Sequence, residues 1–235
     1  MARTEMAGAK PRPGSRRSGH LAWKSVRRKC SCLLLMALAA SSALAEPRQW
    51  SFRVFLDDKP IGTHVFTLRE QDAVRELRSE ARFTVTFLGL ALYRYEHVAL
   101  EQWKGDCLLS LEARTNDDGI RTTVQARREG SSLAVDANGA REQLPGCLKT
   151  FAYWNPAILT AERLLNAQTG RYEKVTIEAQ GRDRLANAQG QTSPANRYRI
   201  LGPDQPITLW YDNANRWVGL ESRVGGGRRL AYRLE

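Results

Sequence analysis

The feature that most constrains this chain is a period-two alternation of apolar and polar residues that keeps restarting between turn signals. In Trp50-Ser51-Phe52-Arg53-Val54-Phe55-Leu56 the large apolar side chains recur at every second position, the mark of a strand with one buried face. Asp57-Asp58-Lys59-Pro60 breaks the run with turn chemistry and residues 61–68 resume it, which predicts a first hairpin. Residues 74–87 read as a long strand in which Phe83, Val85 and Phe87 alternate with Thr84 and Thr86. Residues 92–103 give another, with Tyr93, Tyr95, His97 and Ala99 on one face. Strands at 108–115 and 121–128 flank the turn Asn116-Asp117-Asp118-Gly119, and a short strand at 133–136 precedes Asn138-Gly139. The whole of 74–144 therefore predicts an antiparallel meander.

The pattern changes at Trp154-Asn155-Pro156. Asn155 is a good helix cap and Pro156 suits a first helical turn. Ile158, Leu159, Leu164 and Leu165 follow at helical spacing, so one short α-helix is expected near 156–166. Strand patterns return at 172–179, 196–201, 207–212, 217–223 and 230–234, and 187–194 is the stretch least like regular structure. The expected fold is mainly β: a strongly curved antiparallel sheet or open β-barrel (half-barrel) with one short helix.

The N-terminus reads differently. The apolar run 33–45 follows a basic segment and ends in Ala43-Leu44-Ala45, and small residues at the first and third positions of that triplet fit a signal peptidase site. The expectation is a signal peptide over 1–45, cleaved after Ala45, and a single β-rich domain over 46–235, periplasmic or secreted. Arg27-Arg28 lies between Ser25-Val26 and Lys29-Cys30-Ser31, poor flanks for a twin-arginine signal, so general secretion is the reading. The run falls short of the about 20 apolar residues a spanning helix needs, and no later stretch supplies a transmembrane segment. Cys30 and Cys32 precede the run, where an acylated lipoprotein cysteine would not sit.

The leader also distorts the bulk charge. The chain has a formal net charge of +11, which taken whole suggests nucleic acid or anionic lipid. Nine basic residues and one acid, Glu5, lie in 1–45, so the leader carries +8 and the remainder +3. Mixed signs on the remainder describe an ordinary solvated surface, and nucleic acid is not an expected partner. Cys107 and Cys147 are the cysteines left after cleavage, and in an oxidising compartment they are a disulfide candidate.

Catalytic motifs are missing from the sequence. No Gly-x-Ser-x-Gly elbow, His-Glu-x-x-His helix, phosphate-binding loop or Cys-x-x-Cys pair occurs, and no cofactor or metal site is assigned. His64 and His97 stand alone in strand patterns and are read as histidines satisfied by a neighbour. Asp57-Asp58 and Asp117-Asp118 fall in turns, where aspartate bonds local amides. The aromatics say more. Tyr93, Tyr95, Trp103, Trp154, Trp210 and Trp217 combine large apolar area with a polar tip, which suits either a filled core or a ligand cavity. The run Phe87-Leu88-Gly89-Leu90-Ala91-Leu92-Tyr93 is apolar where a hairpin tip is ordinarily polar. It either folds over the barrel mouth or offers an apolar lip. Phe87, Leu90, Tyr93, Tyr95, Trp103, Trp154, Trp210 and Trp217 are the candidate ligand-binding residues.

Several segments resemble an exported bacterial family, that of domain of unknown function 6134. They are Asp58-Lys-Pro-Ile-Gly-Thr-His64, Phe87 with Tyr93-Arg94-Tyr95-Glu96-His97, Ala113-Arg114-Thr115 with Gly119, Tyr153-Trp154-Asn155-Pro156, Leu165-Asn-Ala-Gln-Thr-Gly170, Leu209-Trp-Tyr-Asp212 and Trp217-Val-Gly-Leu-Glu-Ser222. The family implies no activity and no catalytic residues. At the level of fold the chain also resembles the half-barrel lipoprotein carriers of the Lol system, which hold acyl chains in an apolar concavity, though those carriers have more helix to serve as a lid. The functional expectation is a non-enzymatic binder or carrier of an apolar, lipid-like ligand. The alternatives are an envelope accessory protein that binds another protein through a sheet edge or the 87–93 lip, and a hydrolase whose carboxylates the sequence does not pair. N-terminal sequencing of the protein recovered from the envelope fraction is expected to begin at Glu46; a cytosolic protein retaining Met1 contradicts the leader reading.

Overall fold

In the computed structural model the described residues are 46–235, so the leader and its cleavage site lie outside them. The N-terminal meander runs through β1 (Arg48–Leu56), β2 (Lys59–Gln71), β3 (Val74–Phe87), β4 (Leu90–Lys104), β5 (Cys107–Asp117), β6 (Ile120–Glu129), β7 (Ser132–Ala137) and β8 (Ala140–Pro145). The chain then makes a short two-stranded ribbon from β9 (Arg163–Leu165) and β10 (Tyr172–Lys174). A second meander follows: β11 (Thr176–Ala186), β12 (Thr192–Leu201), β13 (Ile207–Tyr211), β14 (Trp217–Val224) and β15 (Arg228–Leu234). All but the ribbon belong to one 13-stranded antiparallel sheet in the order β11-β12-β13-β14-β15-β1-β2-β3-β4-β5-β6-β7-β8. The sheet is not closed into a barrel; β11 and β8 are its edges.

Its curvature follows from which side chains touch. Trp103 on β4 meets Trp154 at 5.8 Å between ring centres. The Tyr211 hydroxyl on β13 donates to the Tyr153 carbonyl at 2.7 Å. Strands β4 and β13 are six steps apart in the sheet, which laid flat is roughly 29 Å at ~4.8 Å per step. Adjacent residues of one segment reach both, so the sheet bends around that segment. The inward face is the apolar parity of each strand: Phe52 and Val54 on β1, Leu77 and Ala81 on β3, Leu209 and Tyr211 on β13, all buried.

Residues 146–175 fill the concavity. Leu148, Ala152, Trp154, Ile158, Leu164, Leu165 and Val175 are buried there and join the main core. The predicted α-helix over 156–166 is absent. Pro156–Thr160 forms one 3-10 turn, capped as expected by the Asn155 side chain, which accepts from the Ala157 N–H. The chain is extended by Arg163–Leu165. Leu164 and Leu165 bury fully in this form. The Leu165 N–H bonds the Lys149 carbonyl at 2.8 Å while 163–165 pair with 172–174. Apolar residues at 158, 159, 164 and 165 fit a helix or an extended ribbon equally, and backbone partners in the tertiary structure decide between them. The stretch 187–194 also differs from expectation: β12 starts at Thr192, and Asn187 closes a tight turn by accepting from the Gln189 and Gln191 N–H groups.

Gly62, in the family-like segment, is required by packing. A Cβ there would lie 1.9 Å from the Arg82 carbonyl oxygen across the β2–β3 ladder. The edges are blunted against pairing with other chains. Strand β8 is short, carries Arg141 and Glu142 and ends at Pro145. Strand β11 is broken by a register shift at Gly181 and carries Arg182 and Arg184.

Cys107 and Cys147 form the expected disulfide, 40 residues apart in sequence. It joins the start of β5 to the first turn of the filling segment, beside the Leu108 N–H bond to the Leu148 carbonyl at 2.9 Å. Closing a loop of that length stabilises a fold by about 4 kcal/mol in the chain-entropy account. The Cys107→Ser/Cys147→Ser double variant is expected to melt on the order of 10 °C lower in a calorimetric scan, and an unchanged melting temperature would show that the segment is held without the bond.

Candidate functional site

The hairpin turns at 57–58, 88–89 and 118–119 and the β12–β13 and β14–β15 connections all fall at one end of the sheet. Six large apolar residues are strongly exposed among the described residues, and five of them, Leu88, Leu90, Leu92, Ile120 and Val224, lie at this end. Leu88 is 87% and Leu90 69% exposed. The two-residue turn Leu88-Gly89, both with positive φ, holds the lip up as a tight β3–β4 hairpin. Leu88, Leu90 and Leu92 thus form an exposed lip, while Tyr93 at the end of the run turns into the sheet. Lys59, Arg94 and Arg121 share this end and make no ion pair among the described residues.

A cavity of about 630 Å³ is built at the same end from Leu56, Ile61, Phe83, Val85, Leu92, Tyr93, Tyr95, Leu230 and Tyr232, among others. Its walls come from β1 to β5, β14, β15 and, through Gln168, the filling segment. A register shift between Val85 and Thr86 leaves Leu92 as an extra residue on β4, so Leu92 and Tyr93, neighbours in sequence, both reach the cavity. Phe83 and Tyr95 stack at 5.1 Å. The Tyr93 hydroxyl donates to Asp117 at 2.7 Å. Burial and that carboxylate together push the Tyr93 hydroxyl well above its usual pKa, so it stays protonated.

A second chamber, about 180 Å³, lies farther from the lip; its polar groups are His64, Ser79, His97, Glu101, Thr150, Asn166 and Gln168, set among a larger number of apolar and aromatic residues that include Phe66, Leu77, Ala99, Trp154 and Ile207. Gln168 lines both spaces. His64 lines the deep one, and its Nδ1 lies 3.3 Å from the hydroxyl of Tyr232, which lines the other. His64 Nε2 meets Ser79 Oγ at 2.7 Å, and His97 Nδ1 meets Thr115 Oγ1 at 2.9 Å. Each histidine is thus hydrogen-bonded to a residue of an adjacent strand. Desolvation lowers both, His97 to about 4 and His64 well below its ordinary value, so both are neutral near pH 7. Glu101 is buried with the Trp103 indole N–H on its Oε2 at 2.9 Å. Desolvation pushes its carboxyl up to about 7.

The sequence-derived site residues divide between these places. Tyr93 and Tyr95 line the larger cavity and Trp154 the deeper chamber. Leu90 stands on the lip. Phe87 pairs through its backbone with Leu90, and its side chain lies outside the described residues. Trp103 and Trp217 are fully buried core, Trp217 packed on Phe52 at 4.2 Å. Trp210 is on the opposite face with Leu185 and Ala195, its indole N–H on Asp183 at 3.1 Å. Neighbouring aromatics on one strand point to opposite faces, which separates Trp210 from Tyr211. Sequence reading missed Ser79, Glu101 and Thr150. Glu101 was legible, since it continues the parity of Tyr93, Tyr95, His97 and Ala99. Ser79 shares the inward parity of Leu77, Ala81 and Phe83 on β3, but nothing near Thr150 marks it. Glu96, beside His97 in sequence, is exposed, and Cys107 is disulfide-bonded. Among the described residues no group of three or more His, Cys, Asp or Glu is placed to hold a metal ion.

Fold and site together define a class: an open, barrel-like antiparallel sheet with space kept inside it. The chain belongs to the family of domain of unknown function DUF6134, whose profile matches residues 52–235. It is also similar to the crystal structure of a beta-barrel-like protein of domain of unknown function DUF1849 from Brucella abortus, with a TM-score of 0.58 and 11% identity over 80% of this chain and 95% of that one. At that identity the likeness is one of fold. No curated protein matches the chain.

The raised Glu101 carboxyl has a measurable sign. Below about pH 4.5 both folded and unfolded chains hold the proton; between there and about 7 the unfolded chain ionises first and stability falls. Glu101→Gln keeps an acceptor for Trp103 and removes the charge. The variant is expected to match the parent near pH 4 and to exceed it above about pH 7 by up to about 3 kcal/mol, as read from urea midpoints across pH. A constant difference at every pH would mean the carboxyl is not desolvated.

Proposed function

We propose that this protein works outside the cytoplasm as a non-enzymatic binder or carrier of an apolar, lipid-like ligand. The observation that carries the reading is a coincidence of place: a cavity of about 630 Å³ walled by apolar and aromatic side chains sits at the sheet end that holds the exposed leucines. Ligand sites are concave, mostly apolar and furnished with a few polar groups. Tyr93 hydrogen-bonded to Asp117 supplies such a group at the wall. The lip gives an apolar ligand a path that avoids water between its source and the cavity.

A second reading rests on the same lip. Leu88 and Leu90 are exposed enough to enter a groove on another envelope protein. Cross-linking in cells from residue 88 separates the two, a single dominant protein adduct favouring the second.

Native mass spectrometry of gently purified mature protein is expected to show an added lipid-like mass. N-phenyl-1-naphthylamine fluorescence is expected to rise on mixing and to fall with Phe83→Asp. A clean ligand-free mass together with no response to the dye overturns the carrier reading.

A further inference from the structure

Two buried side-chain polar atoms lack a hydrogen-bond partner among the described residues: the Trp154 indole Nε1 and the Thr150 hydroxyl. Both residues line the deep chamber, Trp154 6% and Thr150 1% exposed. An indole N–H left unpaired in a buried site costs about 1–3 kcal/mol. Glu101 is the one acid lining the same chamber, and Trp103 links it to Trp154, donating to Glu101 at 2.9 Å and packing its ring edge-on to Trp154. The Thr150 hydroxyl is near enough to Glu101 to favour its charged form without making a regular hydrogen bond.

These groups select the chemistry of what enters. No Lys or Arg lines the chamber, so a carboxylate or phosphate would be buried beside Glu101 with no counter-charge, which is strongly unfavourable. An ammonium would find Glu101 but offers nothing to the Trp154 N–H, which needs an acceptor. The Arg75 guanidinium, stacked on the Trp154 ring at 4.8 Å, does not line the chamber and is already engaged by the Gly105 carbonyl and Asp106, so it is not free to serve as the counter-charge. A neutral hydroxyl answers both needs, accepting from Trp154 and donating to Glu101.

We propose that the deep chamber seats the uncharged, hydroxyl-bearing end of a long-chain alcohol, with the Trp154 N–H and the Glu101 carboxyl as its partners and the apolar body extending past Gln168 into the larger cavity. This rests on the carrier reading above and names the ligand class for it. The chamber sorts lipids by head group while the larger cavity accepts any apolar body.

The test is displacement of bound N-phenyl-1-naphthylamine from the mature protein by dodecan-1-ol, dodecanoate and dodecylamine near pH 8, where the acid is ionised and the amine largely charged. Dodecan-1-ol is expected to displace the dye at a concentration about tenfold lower than either charged chain, the equivalent of one well-made buried hydrogen bond. Trp154→Phe should remove that preference while the dye still binds, which also shows that the variant is folded. Glu101→Gln supplies an independent arm, because removing the lone buried charge should narrow the gap between the alcohol and dodecanoate. Equal displacement by all three chains, or tighter binding of dodecanoate, overturns the head-group assignment and leaves the carrier reading standing. No dye binding and no displacement by any chain overturns both.

Discussion

The structure depends on a single seam. Strand β1 lies between β15 and β2, and its two ladders join the N-terminal meander to the C-terminal one. On the inner side of that seam Phe52 touches Phe66, Trp217 and Tyr232, one aromatic from each of β2, β14 and β15. On the outer side Arg53 and Ser51 bond the Glu235 carboxylate. Exposed ion pairs of this kind contribute little. The aromatic cluster is what makes the two halves one core, since each ring removes a large apolar area from water and meets its neighbours edge-on or tilted.

Given that seam, the sheet has more inner surface than its own side chains cover, and the chain answers with residues 146–175. The filling is uneven. Trp103, Leu148, Ile158 and Leu165 are fully buried in it. Toward the end that bears the lip it stops, and space remains between the sheet and Gln168. Along β4 the inward residues step from Tyr93 and Tyr95 through His97 and Glu101 to Trp103. One strand thus passes from the larger cavity through the polar chamber into solid core, and the gradient of chemistry inside the protein is written in the alternate letters of that strand.

Much of this was legible in the sequence. Alternation located the strands, turn chemistry located the tips, and both meanders follow from them because antiparallel neighbours joined by tight turns pair in order. The resemblance carried by 58–64, 153–156 and 217–222 agrees with the family match, and the half-barrel expectation with an open sheet. The failures have physical causes. Period-two reading assigns residues to a face but does not say which face is inside when both sides carry aromatics, and so Trp210 was grouped with Tyr93. The 156–166 stretch had two structures available to the same letters, and partners far away in sequence chose the extended one. Ser79 and Thr150 are ordinary residues made unusual by what the curved sheet places around them, which no local pattern records.

The seam also governs how the molecule comes into being. Arg53 and Glu235, which meet across it, are 182 residues apart, so loop-closure entropy must be met before any of that contact is rewarded. Strand β1 can find β2, its neighbour in sequence, at once, yet its other ladder stays open until β15 has been made. For that interval Phe52 and Val54 are only half covered, beside an unsatisfied row of amides and carbonyls. A chain in which β15 has not yet docked is therefore the form most exposed to aggregation, through the uncovered side of β1.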